Sequence, residues 1–201
     1  MLKKLNNQFH KKAFFKYDHD VKSLGWGSLS SQDSRFQVMT EIGIKSGDSV
    51  LDLGCGFGDF YRYLQSRKLH IDYIGVDIND DFINKAVEVK KTSAENCSFI
   101  KGDILCVHSR KFDWVVASGI FSFSCSSWNN EVCNTVKEMF EVCTRGVSVN
   151  FLSAYSPHET KRGFQYVKPE DVIQMLVPAV SSKFVVRHDY RENDFTLYFY
   201  K

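Results

Sequence analysis

The stretch VLDLGCGFGDF, Val50 to Phe60, constrains this chain more than any other. An apolar, strand-like run ends in Asp52, and Gly54, Gly56 and Gly58 follow at every second residue. Glycines let a turn adopt positive φ and bring backbone close to a ligand, where a Cβ would stand in the way. Ligands of open α/β sheets sit at the carboxyl ends of the strands. The stretch therefore reads as a first strand, a ligand-cradling loop and the start of a first helix. An ordinary strand-to-helix turn is the plainer alternative, but one glycine would serve it. A dinucleotide fingerprint has the spacing G-x-G-x-x-G, whereas the spacing here is G-x-G-x-G preceded by D-x.

From this loop onward strands and helices alternate. Strands are predicted at 49–53, 71–76, 98–101, 113–117 and 146–152. Helices between them carry Phe60, Tyr63 and Leu64, then Phe82, Ile83, Ala86 and Val87, then Val132, Val136, Met139, Phe140 and Cys143 at helical spacing. Pro169 opens a further helix, with Glu170 and Asp171 at its positive end and Pro178 at its close. Two last strands, 183–190 and 195–200, flank the turn-forming RENDF and predict an antiparallel hairpin. The alternation implies an α/β fold, doubly wound, with a mostly parallel seven-stranded sheet and helices on both faces. The closing hairpin adds an antiparallel strand, and that last strand or the N-terminal helix offers a surface for a dimer contact.

Before the loop, Leu2, Leu5, Phe9, Ala13 and Tyr17 predict one helix, and Ser30 or Ser31 caps a second that carries Phe36, Met39 and Ile42. No Pro-rich or Gly/Ser-rich linker divides the 201 residues, so residues 1–201 are read as one domain. A net charge of +2 does not by itself argue for a nucleic-acid partner. Lys3, Lys4, Lys11, Lys12 and Lys16 precede any acid and either touch phosphates or form a solvated face. No long apolar run follows them, so no signal peptide or membrane anchor is expected. The six cysteines form no C-x-x-C pair and have no histidines at ligand spacing, so neither a metal site nor a disulfide framework is expected, and the protein is placed in the cytoplasm.

Asp52–Gly58 closely resembles the first motif of class I S-adenosylmethionine-dependent methyltransferases, which have a Rossmann-like core. The resemblance extends over about residues 45–201. YIGVDIND ends its strand in Asp77, the family's acid for the ribose hydroxyls, with Ile78 beside it. Gly102-Asp103-Ile104 matches the place where an acid meets the adenine amino group and an apolar neighbour meets the ring. Ser118, Gly119 and Ile120 match the fourth motif, beside the methionine part of the cofactor and the reacting methyl group. The resemblance thus implies S-adenosylmethionine as cofactor, held by Asp52, Gly54, Cys55, Gly56, Gly58 and these later residues. It implies a Rossmann-like core at 45–201 and a helical lid at 1–44. In that lid, Arg35 either pairs with the cofactor carboxylate or stands exposed on its helix. Trp26 either covers the site or packs on the sheet, and Tyr17 faces the acceptor.

After the fifth strand, AYSPHETKRGFQY is polar and long enough to contact a substrate. His158 in it is either a base or a solvated loop residue. Phe121, Tyr155 and Tyr166 either wall an acceptor pocket or belong to the core. Methyl transfer needs alignment more than acid–base machinery, and no triad is found. Ala117–Phe121 departs from the Asn/Asp-Pro-Pro-aromatic pattern of base amino-methylating enzymes. The expected acceptor is therefore the O, N or S of a small molecule, with nucleic acid unlikely. An RNA or protein methyltransferase, or a non-catalytic binding module, is the alternative.

Overall fold

A computed structural model describes residues 1–17, 29–90 and 96–201, leaving aside the side chains of residues 10–17, 29, 89 and 90. The helices are α1 (Leu2–Tyr17), α2 (Leu29–Thr40), α3 (Asp59–Ser66), α4 (Asp80–Lys90), α5 (Trp128–Val142) and α6 (Pro169–Leu176). The strands are β1 (Ser49–Leu53), β2 (Asp72–Asp77), β3 (Cys97–Lys101), β4 (Phe112–Ala117), β5 (Cys143–Ser153), β6 (Tyr166–Val167), β7 (Phe184–Arg187) and β8 (Asp194–Tyr200). The main path of the sheet runs β3-β2-β1-β4-β5-β8-β7. This is the expected seven-stranded α/β sheet. The two-residue β6 adds an eighth strand, paired to β5, where the sequence reading ended a loop.

The hairpin forms between β7 and β8, but β8 lies inside the sheet, antiparallel to both β5 and β7. The last strand is therefore not the exposed one. Its DFTLYF run is buried throughout, while Phe184 and Val185 of the edge strand β7 are exposed. A strand covered on both faces needs a near-continuous apolar run, and β8 has one.

Two cores lie on opposite faces, and strand alternation sorts residues between them. Leu51, Leu53, Val147, Val149, Phe151 and Leu197 meet the Val132–Val136–Met139 stripe of α5 and Val172 and Leu176 of α6. Val50, Trp114, Val116 and Tyr198 meet Phe36 and Met39 of α2 and Phe60 and Leu64 of α3. Parallel pairing sets Leu53 beside Val76 and Asp52 beside Val116. The carboxyl ends of β1, β2 and β4 thus open at one edge, where the loops gather.

Candidate active site

Alternation along β1 puts Asp52 on the Val50 face, 3% exposed, where it accepts a 2.5 Å hydrogen bond from Tyr73 Oη. Burial pushes its carboxyl up to about 7. The Tyr73 bond opposes that rise and the nearby charge of Asp77 adds to it. Gly54 and Cys55 then donate their N–H groups to the Val76 carbonyl, at 2.7 and 3.2 Å. This folds the loop over the end of β2. There the Gly56 N–H reaches Asp77 Oδ2 at 3.0 Å, and the Asn79 N–H reaches Oδ1 at 2.9 Å. Both carboxylate oxygens of Asp77 are held by backbone, so the group is oriented before any ligand arrives.

The glycines answer to packing as well as to a ligand. Gly54 has φ 81°, and a Cβ there would lie 2.2 Å from Ile120 Cγ2. Gly58 has φ 76° at the N-cap of α3, and a Cβ there would lie 2.6 Å from the Phe99 ring. Positive φ is strained for any residue with a Cβ. Gly58 shapes the turn beneath the loop and does not line the cleft.

After β3, Asp103 caps a short 3₁₀ helix (Ile104–Val107) through the Leu105 N–H at 3.1 Å, and its other oxygen takes Lys3 Nζ at 2.7 Å. The Lys3 hydrogen bond, more than any other influence, lowers its pKa from the ordinary carboxylate value. After β4, the Gly119 N–H is held by Asn150 Oδ1 at 2.8 Å. Phe121 stacks on Phe151 at 5.5 Å and is buried.

A single cavity of about 380 Å³ joins these loops, within the roughly 300–1,000 Å³ range of small-molecule sites. Asp52, Gly54, Cys55 and Gly56 line it at one end, with Asp77 and Ile78 beside them. Asp103, Ile104, Ser118, Gly119, Ile120 and Phe121 complete the walls expected from sequence. The α1 face made by Leu2, Lys3, Asn6 and Asn7 also lines the cavity. Leu2 is 4% exposed, its N–H bonds Glu131 at 2.9 Å, and Asn6 Nδ2 bonds the Ile120 carbonyl at 2.9 Å. Sequence reasoning used Leu2 as a core position and missed Lys3, Asn6 and Asn7 as wall residues. Their spacing of three and four residues is the signal that marks one helical face. Asn79, whose Oδ1 caps α4 through Asp81 and Phe82, was missed as well.

Besides Gly58, four expected contacts are not brought to the cavity. Arg35 neither reaches it nor stands exposed. It is 4% exposed, with Nη2 at 2.5 Å from Asp194 Oδ2 and Nη1 at 2.6 Å from Ser31 Oγ. The fully buried Asp194 carboxylate at the start of β8 draws the guanidinium inward. His158 lies in an exposed loop with Nε2 3.4 Å from the Glu192 carboxylate. Tyr155 is 54% exposed and bonds Glu170 through its hydroxyl. Tyr166 sits in β6, where its hydroxyl accepts the Lys161 N–H at 3.2 Å. Pairing with β5 carries this whole segment away from the cleft. Trp26 and the Tyr17 side chain lie outside the described residues.

Comparison with known proteins agrees with this geometry. The model of a family described as "Methyltransferase domain" matches residues 44–185. Rv1506c of Mycobacterium tuberculosis, whose methyltransferase name is itself provisional, is 29% identical over 154 residues, covering 74% of this chain and 90% of its own. A tRNA (guanine-N(7)-)-methyltransferase of Clostridium botulinum is 31% identical over 93 residues, but the match spans only 43% of this chain and 42% of that protein. Among solved structures, the magnesium protoporphyrin IX methyltransferase of Synechocystis PCC 6803 with bound SAM superposes with a TM-score of 0.71. It covers 100% of this chain and 97% of its own at 15% identity, and so speaks for the fold. The sheet order, the ordered loops around one cavity and the family match over most of the chain together make this protein a member of the class I S-adenosylmethionine-dependent methyltransferases.

Proposed function

We propose that this enzyme transfers a methyl group from S-adenosylmethionine to a nucleophilic O, N or S atom of a small molecule. The observation that carries the reading is the cavity at the strand ends, lined on one side by α1 and walled by the motif residues in their expected order. Those residues suit the cofactor. Asp77, held open by two backbone N–H groups, would accept the ribose hydroxyls. Asp103 and Ile104 would meet the adenine. The Asp52–Gly56 turn and Ser118–Ile120 would flank the methionine part. Asn79 Nδ2 and Ser118 Oγ are buried without protein partners among the described residues, as ligand-facing atoms should be. When bound, the cofactor supplies an electrophilic methyl group on a sulfonium. The protein supplies orientation, which can lower a barrier by about 7–11 kcal/mol, and exclusion of water.

Residues 1–44 act in this reading as the lid and residues 45–201 as the core of one domain. The cavity's volume of about 380 Å³, with α1 along one wall, favours a small acceptor over a polymer. Lys3 is turned to Asp103, which weakens the case for an RNA-binding lysine row. No helix among the described residues is long and apolar enough to cross a membrane. The six free thiols suit a reducing compartment such as the cytoplasm.

The test is a thermal-shift titration with S-adenosylmethionine, S-adenosylhomocysteine and NAD. A ligand at about 100 times its Kd adds roughly 2.7 kcal/mol of stability. Stabilisation by the two sulfur nucleosides is expected, and stabilisation by NAD alone would end this reading. Salt-dependent affinity for RNA would move the acceptor from small molecule to RNA.

A further inference from the structure

Asn79 lies between β2 and α4, is 1% exposed, and has all but one of its polar groups committed. Its N–H reaches Asp77 Oδ1 at 2.9 Å. Its carbonyl accepts the Ile83 N–H at 3.2 Å. Its Oδ1 accepts the N–H groups of Asp81 and Phe82, at 3.0 and 3.3 Å, and so caps α4. Those two donors fix which end of the amide is which, because the reversed amide would set N–H against N–H. Nδ2 is left at the other end of the group, buried and without a protein partner among the described residues.

The cap does not require that nitrogen. Serine caps a helix about as well as asparagine, and it brings no second donor to bury. Aspartate would set another charge beside Asp77, but serine avoids that too. A buried donor without an acceptor is costly, so Nδ2 calls for a partner that the protein does not supply. Asn79 lines the cavity together with Asp77 and Ile78. Its own N–H bond to Oδ1 keeps it beside the carboxylate that the cofactor reading gives to the ribose. An ionised Asp77 offers acceptors only. A ribose hydroxyl that gives its proton to Asp77 keeps two lone pairs, and in a buried site these call for a donor.

We propose that Asn79 reads the ribose: Nδ2 donates to the oxygen of a ribose hydroxyl whose proton goes to Asp77. This deepens the S-adenosylmethionine reading of the site and rests on it. Carboxylate and amide then recognise the hydroxyl as donor and acceptor at once. A hydrogen in its place leaves both groups unpaired. An ether or a phosphate ester has no proton for Asp77, and the phosphate adds a repelling charge. The chain thus selects a free ribose with two residues rather than with the acid alone.

The test uses the full chain and calorimetry with S-adenosylhomocysteine and its 2′-deoxy and 3′-deoxy analogues. Asn79→Ser keeps the cap and removes the donor. It should leave the urea midpoint unchanged and weaken S-adenosylhomocysteine by about threefold to tenfold. The analogue that lacks the hydroxyl read by Asn79 should bind the wild-type chain more weakly and lose nothing further in Asn79→Ser. Should the serine variant unfold at lower urea, Asn79→Thr, a second capping residue, carries the same comparison. Wild-type affinity for S-adenosylhomocysteine in the capped variant would overturn the proposal. So would an equal loss with all three ligands, which would place Nδ2 against another part of the cofactor. A lowered urea midpoint in both variants would assign the nitrogen to the fold and overturn it as well. Failure of the wild-type chain to bind S-adenosylhomocysteine would instead sink the cofactor reading beneath it.

Discussion

Asp77 and Asp52 stand beside each other at the strand ends, and their surroundings give them different chemistry. Asp77 receives one backbone N–H on each oxygen, which fixes the orientation of its carboxyl group. Asp77→Ala should weaken cofactor binding by roughly tenfold to a hundredfold, the value of about 1.5–3 kcal/mol for a bond to a charged group, as read by calorimetry. Asp52 is buried and shares a face with Val50, so its proton is retained up to about pH 7. A carboxyl whose pKa is higher folded than unfolded binds more protons in the native state. Stability contributed by that proton is therefore lost as pH rises from about 4 to about 7. Asp52→Asn should flatten this fall, by at most about 4 kcal/mol at 1.36 kcal/mol per pKa unit. Denaturant melts of both proteins at pH 5 and pH 8 check it, and parallel pH profiles would refute it. Tyr73→Phe removes the one hydrogen bond that favours the Asp52 carboxylate, so the fall should then extend to higher pH.

At the scale of elements, β7 and β8 differ more than their similar sequences suggest. FVVR and DFTLYFY are both β-rich, yet β8 is covered on both faces and both edges while β7 has a free edge. Leu197→Ala, in a fully buried position, should cost about 2–5 kcal/mol. Val185→Ser on β7, 41% exposed, should change stability by less than about 1 kcal/mol. Urea unfolding separates the two, and comparable losses would mean that β7 is as buried as β8. The helix α1 shows the same dependence on context. Its LKKLNNQF face reads as a modest amphipathic stripe, and only docking over the cavity turns Lys3, Asn6 and Asn7 into wall residues.

Across the whole molecule, the Arg35–Asp194 pair joins α2 to the start of β8, 159 residues apart. Arg191 also approaches the same carboxylate at 3.3 Å. Removing one partner of a buried pair leaves an uncompensated charge, at a cost of about 3–5 kcal/mol. Arg35→Ala should lower stability by that order in a chemical melt. At a temperature where the variant stays folded, its S-adenosylhomocysteine affinity should match wild type, which a direct cofactor contact would not allow.

Local rules read correctly where local forces decide. Asp52 through Gly58 is legible because a close strand-to-helix turn needs glycine whatever packs around it, and Asp77, Asp103 and Ser118–Ile120 follow from their places after successive strands. The alternation of periods two and 3.6 likewise announces the parallel sheet and its helices. The sequence alone therefore determined the fold class, the order of the motifs and the walls they form. Tertiary structure decided what depends on distant partners. It buried Arg35 on Asp194, carried His158, Tyr155 and Tyr166 away with β6, and placed β8 inside the sheet. It also laid α1 across the cavity, bringing Asn7 to the site. Each of these outcomes rests on contacts between residues far apart in the chain, for which hydrophobic period and turn chemistry leave no local mark.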